Sequence, residues 1–232
     1  MAEVFINNLD VRLEGRYYQN ENPNAPLALI LHPDPQLGET MNNKVVYTLF
    51  QTFVKLGFSV LRFNFRGVGR SLGPVDEDEN WELADAIIAL DWLQNKNIDS
   101  KICWVAGVDS GAFVGMQLLM RRPELNGFVA VSPPAHQHDF SFLTPCPASG
   151  IIIQAGAVSA QREAQVCALA EKLNAARSIR VDYVLFPKSD SYYTNHLKML
   201  YECLCEKVPV FLLKKQKKSG KGMKKVLKAI DA

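Results

Sequence analysis

The stretch WVAGVDSGAFVGMQLL, Trp104 to Leu119, runs from an apolar strand pattern into apolar residues at helical spacing. Between the two lies Gly107-Val108-Asp109-Ser110-Gly111. Glycines at 107 and 111 frame a sharp strand-to-helix turn, because small residues there let strand and helix approach each other. The corner residue inside that frame is position 109. In a Gly-x-Ser-x-Gly pattern the corner carries a serine nucleophile; here it carries Asp109, and Ser110 falls in the first helical turn. A slip that made Ser110 the nucleophile conflicts with the glycine frame. A carboxylate at a helix start gains from free N–H groups and the helix dipole, so Asp109 is expected to be ionised, with a lowered pKa.

Outward from the corner the chain alternates. Toward the N-terminus, VFINNLDVRLEGRYYQ reads as a hairpin turning at Asn7 and Asn8, and LALILH as a buried strand. KVVYTLFQTFVKLG has a helical apolar period with Gly57 as its stop, and FSVLRFNFRG reads as a strand before the helix WELADAIIALDWLQNK. Toward the C-terminus come the strand GFVAVSPP, the strand GIIIQAG, the helix SAQREAQVCALAEKLNAA and the strand RVDYVLF. A final helical region, HLKMLYECLCEKVPVFLLKK, is expected to be kinked or interrupted by Pro209. Strands alternating with helices predict an α/β fold: a mostly parallel, doubly wound sheet with helices on both faces and an N-terminal antiparallel hairpin. Such sheets bind ligands at the carboxyl ends of their strands.

The residues after each strand are therefore the candidates. After LALIL, His32-Pro33-Asp34-Pro35 forms a rigid loop whose N–H groups could face an oxyanion, with His32 and Asp34 as ligand contacts; the alternative is a purely structural His32. After the next strand, Arg66 and Arg70 could hold an anion or pair with Asp76, Glu77, Asp78 and Glu79. The glycines around them make no dinucleotide fingerprint. His136 and His138 lie in the loop after GFVAV, without a convincing third metal ligand. The segment after GIIIQAG offers no acid, and the one after DYVLF offers Ser191 where a triad would need a histidine; His196 lies five residues on. Ser110 and Tyr192 complete the candidate ligand contacts.

Composition places the chain among globular proteins: 48% hydrophobic and 22% charged residues suit one domain with a substantial core. No apolar run has membrane-spanning length, and the N-terminus lacks a basic start followed by an apolar block, so no transmembrane segment or secretory signal is expected. Five cysteines without CxxC spacing predict reduced thiols, a cytoplasmic location and no metal. Charge is uneven: residues 1–210 carry 18 basic and 23 acidic side chains, whereas residues 211–232 carry eight lysines and one aspartate. The expected organisation is one domain over 1–210 and a flexible Lys-rich tail over 211–232, which either only solubilises the chain or contacts RNA, an acidic protein or an anionic surface nonspecifically. The tail has no aromatic residues for base stacking. Phe140, Phe142, Leu143, Tyr192 and Tyr193 could line a pocket or an interface, which leaves a homodimer or a protein partner open.

Three motifs carry a resemblance: His32-Pro33-Asp34-Pro35, then Thr40-Met41-Asn42-Asn43-Lys44-Val45-Val46, then Arg62-Phe63-Asn64-Phe65-Arg66-Gly67-Val68-Gly69-Arg70-Ser71 ahead of the glycine-framed corner. Over roughly residues 3–210 the chain resembles the small bacterial α/β-hydrolases related to dienelactone hydrolases and Xaa-Pro peptidase-like serine hydrolases. The resemblance implies an α/β-hydrolase fold with a minimal cap and no cofactor. It puts the nucleophile at Asp109, the triad acid at Val158, the triad histidine at Ser191, and the second histidine of an HPHP-type loop at Asp34. A triad needs a nucleophile, a base in reach and a group that orients the base. With all three positions substituted, the expectation is a non-catalytic member with a binding or assembly role. The alternative is a hydrolase with Asp109 as nucleophile, dehalogenase-like or epoxide-hydrolase-like, or another small-ester hydrolase, using His196, His136 or His138 as base.

Overall fold

The computed structural model describes residues 1–75, 80–175 and 179–218. The strands are β1 (Ala2–Asn8), β2 (Val11–Tyr18), β3 (Leu27–Leu31), β4 (Ser59–Phe63), β5 (Cys103–Val108), β6 (Leu125–Val131), β7 (Ser149–Ala155) and β8 (Val181–Phe186). The helices are α1 (Lys44–Lys55), α2 (Trp81–Lys96), α3 (Ser110–Arg121), α4 (Ala160–Ala175) and α5 (Leu197–Lys218). All eight strands form one sheet in the order β1-β2-β4-β3-β5-β6-β7-β8. β1 and β2 pair antiparallel, as do β2 and β4; from β4 to β8 every pairing is parallel. The expected mostly parallel, doubly wound sheet with an N-terminal hairpin is what the chain forms.

Helices cover both faces because the central strands have no polar face. Every residue of β3, β4 and β5 is buried, the pattern of parallel strands enclosed on two sides. On one face, Leu83, Leu90, Leu118 and Leu169 from α2, α3 and α4 pack on Leu29, Val105 and Phe128. On the other, Val46, Phe53, Leu200, Leu204 and Val208 from α1 and α5 pack around Trp104. Between β6 and β7 the chain crosses the strand ends with a single 3-10 turn, Ser141–Leu143.

Two elements differ from expectation. The first hairpin turns at Leu9 and Asp10, not at Asn7 and Asn8, because those asparagines remain paired in the ladder with Arg12 and Val11. Pro209 does not interrupt α5, which is helical from Leu197 to Lys218. Leu204, Val208 and Phe211 are buried on both sides of the proline, and that packing holds the helix in place of the missing backbone bond.

The topology sets where a site can form. From β3 the chain crosses to β4 on one side, and it later returns to place β5 on the other. The carboxyl ends of β3 and β5 therefore diverge over a crevice at the switch point. Leu31 and Gly107 are register partners there, so the loop from His32 and the corner at Asp109 emerge side by side.

Candidate functional site

The corner is built by backbone contact. A side chain at Gly107 would put its Cβ 2.2 Å from the Gly111 carbonyl oxygen, and one at Gly111 would come 2.4 Å from the His32 carbonyl oxygen. Only glycine allows strand, corner and helix to close this tightly. Asp109 takes the turn at φ 51° and ψ −121°, a left-handed backbone unusual for a residue with a side chain. Its N–H donates to the Val131 carbonyl at 2.9 Å, which ties the corner to β6.

The loop opposite is fixed just as firmly. His32 is fully buried; its Nε2 accepts from the Phe65 N–H at 3.1 Å, so Nδ1 carries the proton and donates to the Pro33 carbonyl at 2.6 Å. Burial pushes the His32 pKa down to about 4, partly opposed by the Pro33 bond, so the ring is neutral near pH 7. The two long motifs form one bonded unit behind this loop. Asn64 accepts from the Met41 N–H at 2.8 Å and donates to Glu14 at 2.9 Å, while Arg62 donates to the Met41 carbonyl and to Asn42. Asn43 caps α1 by accepting from Val45 and Val46.

These contacts open a cleft of about 340 Å³ over the strand ends, lined by Asp34, Asp109, Ser110, His136, His138, Val158, Ser191 and Tyr192 among the sequence candidates. Four candidates, His32, Arg66, Arg70 and His196, lie elsewhere. His32 has both ring nitrogens engaged beneath the loop and does not line the cleft. Arg66 is buried in an ion pair, with Nε and Nη2 on Asp85 Oδ1 at 2.9 and 2.6 Å and Nη1 on the Pro74 carbonyl, so it has no free edge for an anion. His196 opens α5, with its N–H on the Tyr193 carbonyl, and does not line the cleft. Arg70 pairs with Glu14 at 2.9 Å; the proposed partners Asp76, Glu77, Asp78 and Glu79 lie outside the described residues, as does 219–232 of the Lys-rich tail. Phe140, Leu143 and Tyr193 are buried, and so are not an exposed interface.

Asp109 departs from expectation in its chemistry. It makes no side-chain cap bond to α3, and burial pushes its carboxyl above the usual range. Arg162 across the cleft pulls it back, whereas Asp34 and Glu39 add to the rise. The helix dipole is outweighed because the carboxyl is half withdrawn from water and faces other acids. Asp34 spends one oxygen accepting from the Gln36 N–H at 2.8 Å.

Two cleft residues carry no motif in the sequence. Arg162, in the first turn of α4, hydrogen-bonds to His136 Nε2, which fixes that imidazole as a neutral acceptor. Its pKa is lowered by burial and by the Arg162 charge. Gln154, near the end of β7, is 3% exposed; its Nε2 donates to the Ala155 carbonyl and its Oε1 has no partner. His138 stacks on Phe113 of α3, ring centroids 4.2 Å apart, which anchors the histidine loop to the helix. Among the described residues no group of three or more His, Cys, Asp or Glu side chains could hold a metal ion. No helix among them is long and apolar enough to cross a membrane.

Comparison with known proteins matches residues 35–147 to the family described as alpha/beta hydrolase fold. An uncharacterized protein of Rickettsia prowazekii (strain Madrid E) is 44% identical over 197 residues, covering 83% of this chain and 82% of the relative. A crystal structure from Agrobacterium tumefaciens, described as a candidate alpha/beta hydrolase of unknown function, is 48% identical with a TM-score of 0.82, covering 88% of this chain and 93% of that one. A serine hydrolase homologue from Coxiella burnetii is 28% identical with a TM-score of 0.79, covering 88% and 96%.

Proposed function

The chain belongs to the alpha/beta hydrolase fold family, and from that premise we propose that it is a non-catalytic member whose cleft binds a small molecule without turning it over. The observation that carries this reading is the set of side chains after three strands of the sheet: Asp109 after β5, Val158 after β7 and Ser191 after β8, all lining one cleft. Hydrolysis by the fold's usual chemistry needs a nucleophile whose proton is taken by a base held in place by a third group. Valine and serine supply neither base nor orienting acid. The cleft's electrostatics oppose the same chemistry, because Asp109 and Asp34 would face the negative charge that develops on a tetrahedral oxygen. His136 is committed to Arg162, and His138 lies flat on Phe113.

The strained corner favours one second reading. Asp109 sits at φ 51°, where the fold presents its nucleophile, so an aspartate-nucleophile hydrolase is the alternative. One assay separates the two. The full chain and its Asp109→Ala variant are compared on aryl esters and haloalkanes. Equal background rates are expected; turnover in the parent that the variant loses would overturn the non-catalytic reading.

A further inference from the structure

We infer that the occupant of this cleft is a small organic ammonium ion, its N–H groups shared between the Asp109 carboxylate and Gln154 Oε1 and its alkyl part against Val158 and Val166. This rests on the reading of the cleft as a binding site.

Charge gives the first argument. Asp34, Glu39 and Asp109 line the cleft against one guanidinium, Arg162, with the imidazoles of His136 and His138 beside them, among the described residues. The His136 imidazole, accepting from Arg162, adds no positive charge. A cleft with an excess of carboxylates attracts a cation and repels an anion.

Gln154 gives an independent argument. In β7, SGIIIQA, it is the sole side chain that can hydrogen-bond beyond the strand's first residue, and it is almost wholly buried. Its amide nitrogen is used by the Ala155 carbonyl, so the oxygen is the end left over, and that oxygen has no partner. A buried acceptor without a donor is destabilising. A ligand N–H relieves that cost, whereas a carboxylate brings only further acceptors. Asp109 is available for the same donor, since it caps no N–H of α3.

Size and surface complete the match. About 340 Å³ suits a small molecule, and Val108, Val158, Val166 and Pro133 supply apolar wall beside the polar groups. An alkylammonium has both halves of that pattern.

The test uses the full chain and n-butylammonium, with n-butyrate and n-butanol as controls, followed by calorimetry and by amide shifts in NMR spectra. Saturable n-butylammonium binding is expected, with shifts at the ends of β5 and β7. Asp109→Asn should weaken it about tenfold or more, and Gln154→Leu by about fivefold, as befits loss of a charged and a neutral hydrogen bond. Unchanged circular dichroism and melting in Asp109→Asn establish that the fold is intact; if either variant fails to fold, the other and the control ligands still decide. No saturable binding, equal binding of n-butyrate, or full affinity in both variants would overturn the inference. Because n-butylammonium has no bond to hydrolyse, its result is independent of the esterase and haloalkane assays. Turnover found there would remove the non-catalytic reading and leave an observed ammonium site standing.

Discussion

His32 shows how much one buried side chain contributes to the site from outside the cleft lining. Its two ring nitrogens join the end of β3 to Phe65 after β4. A histidine held neutral in the fold, with its pKa near 4 against about 6.5 when unfolded, adds stability that is fully present above pH 6.5 and is lost as the pH falls toward 4. The shift corresponds to about 3 kcal/mol at most. Urea denaturation between pH 7.5 and 4 should therefore show a fall in stability that flattens in His32→Gln, a variant also weaker at pH 7; parallel curves for the two chains would contradict the assignment. At this scale the sequence was legible where a residue's place followed from a strand end: Asp34, Asp109, Ser110, Val158, Ser191 and Tyr192 all reach the cleft. It left His32 and Arg66 open between a ligand contact and a structural role, and their polar groups are satisfied inside the protein. It was silent on Arg162, which reads as an ordinary surface residue of α4. Gln154 did leave a signal, as a polar side chain at the end of the otherwise apolar run GIIIQAG.

The β5–α3 corner is an element-scale device, because it depends on where β3 ends as well as on its own residues. Gly111→Ala would force a Cβ to 2.4 Å from the His32 carbonyl oxygen, against backbone that cannot rotate away. Overpacking of this kind should destabilise the chain by about 3 kcal/mol, read as a lowered midpoint in chemical denaturation. Alanine at Gly115, also in α3, meets only the Val105 and Leu31 side chains, at 3.2 Å or more, and should be milder. A Gly111→Ala chain as stable as the parent would mean that α3 can move off β3. Apart from the turn of the first hairpin, element boundaries were legible from apolar period. The predicted WELADAIIALDWLQNK helix is α2 residue for residue, whereas Pro209 was over-read, since a local breaker says nothing of the Leu204, Val208 and Phe211 side chains that hold α5 on both sides of it.

Across the whole molecule, the sheet separates two apolar layers, and the site lies on neither but on the rim where their strands end. The Lys-rich C-terminus is a separate matter of charge. Residues 219–232 contain four lysines and one aspartate, and we propose nonspecific attraction to polyanions. Truncation after Lys218 should leave the melting temperature unchanged while weakening salt-sensitive binding to a single-stranded RNA homopolymer; binding that persists at equal strength would exclude an electrostatic role for the segment. Fold class was legible at this scale because strand and helix periods alternate. The union of the Thr40–Val46 and Arg62–Ser71 motifs was not, since hydrogen bonds from Asn64 and Arg62 to Met41 join residues far apart in the chain. That union, with the glycine contacts at 107 and 111, has an evolutionary consequence. The frame of the cleft is held by backbone and by side chains outside its lining, so the side chains at positions 109, 158 and 191 take no part in holding it. A lineage can exchange what stands on those three positions, and with it one repertoire of ligands for another, while selection on the scaffold stays the same.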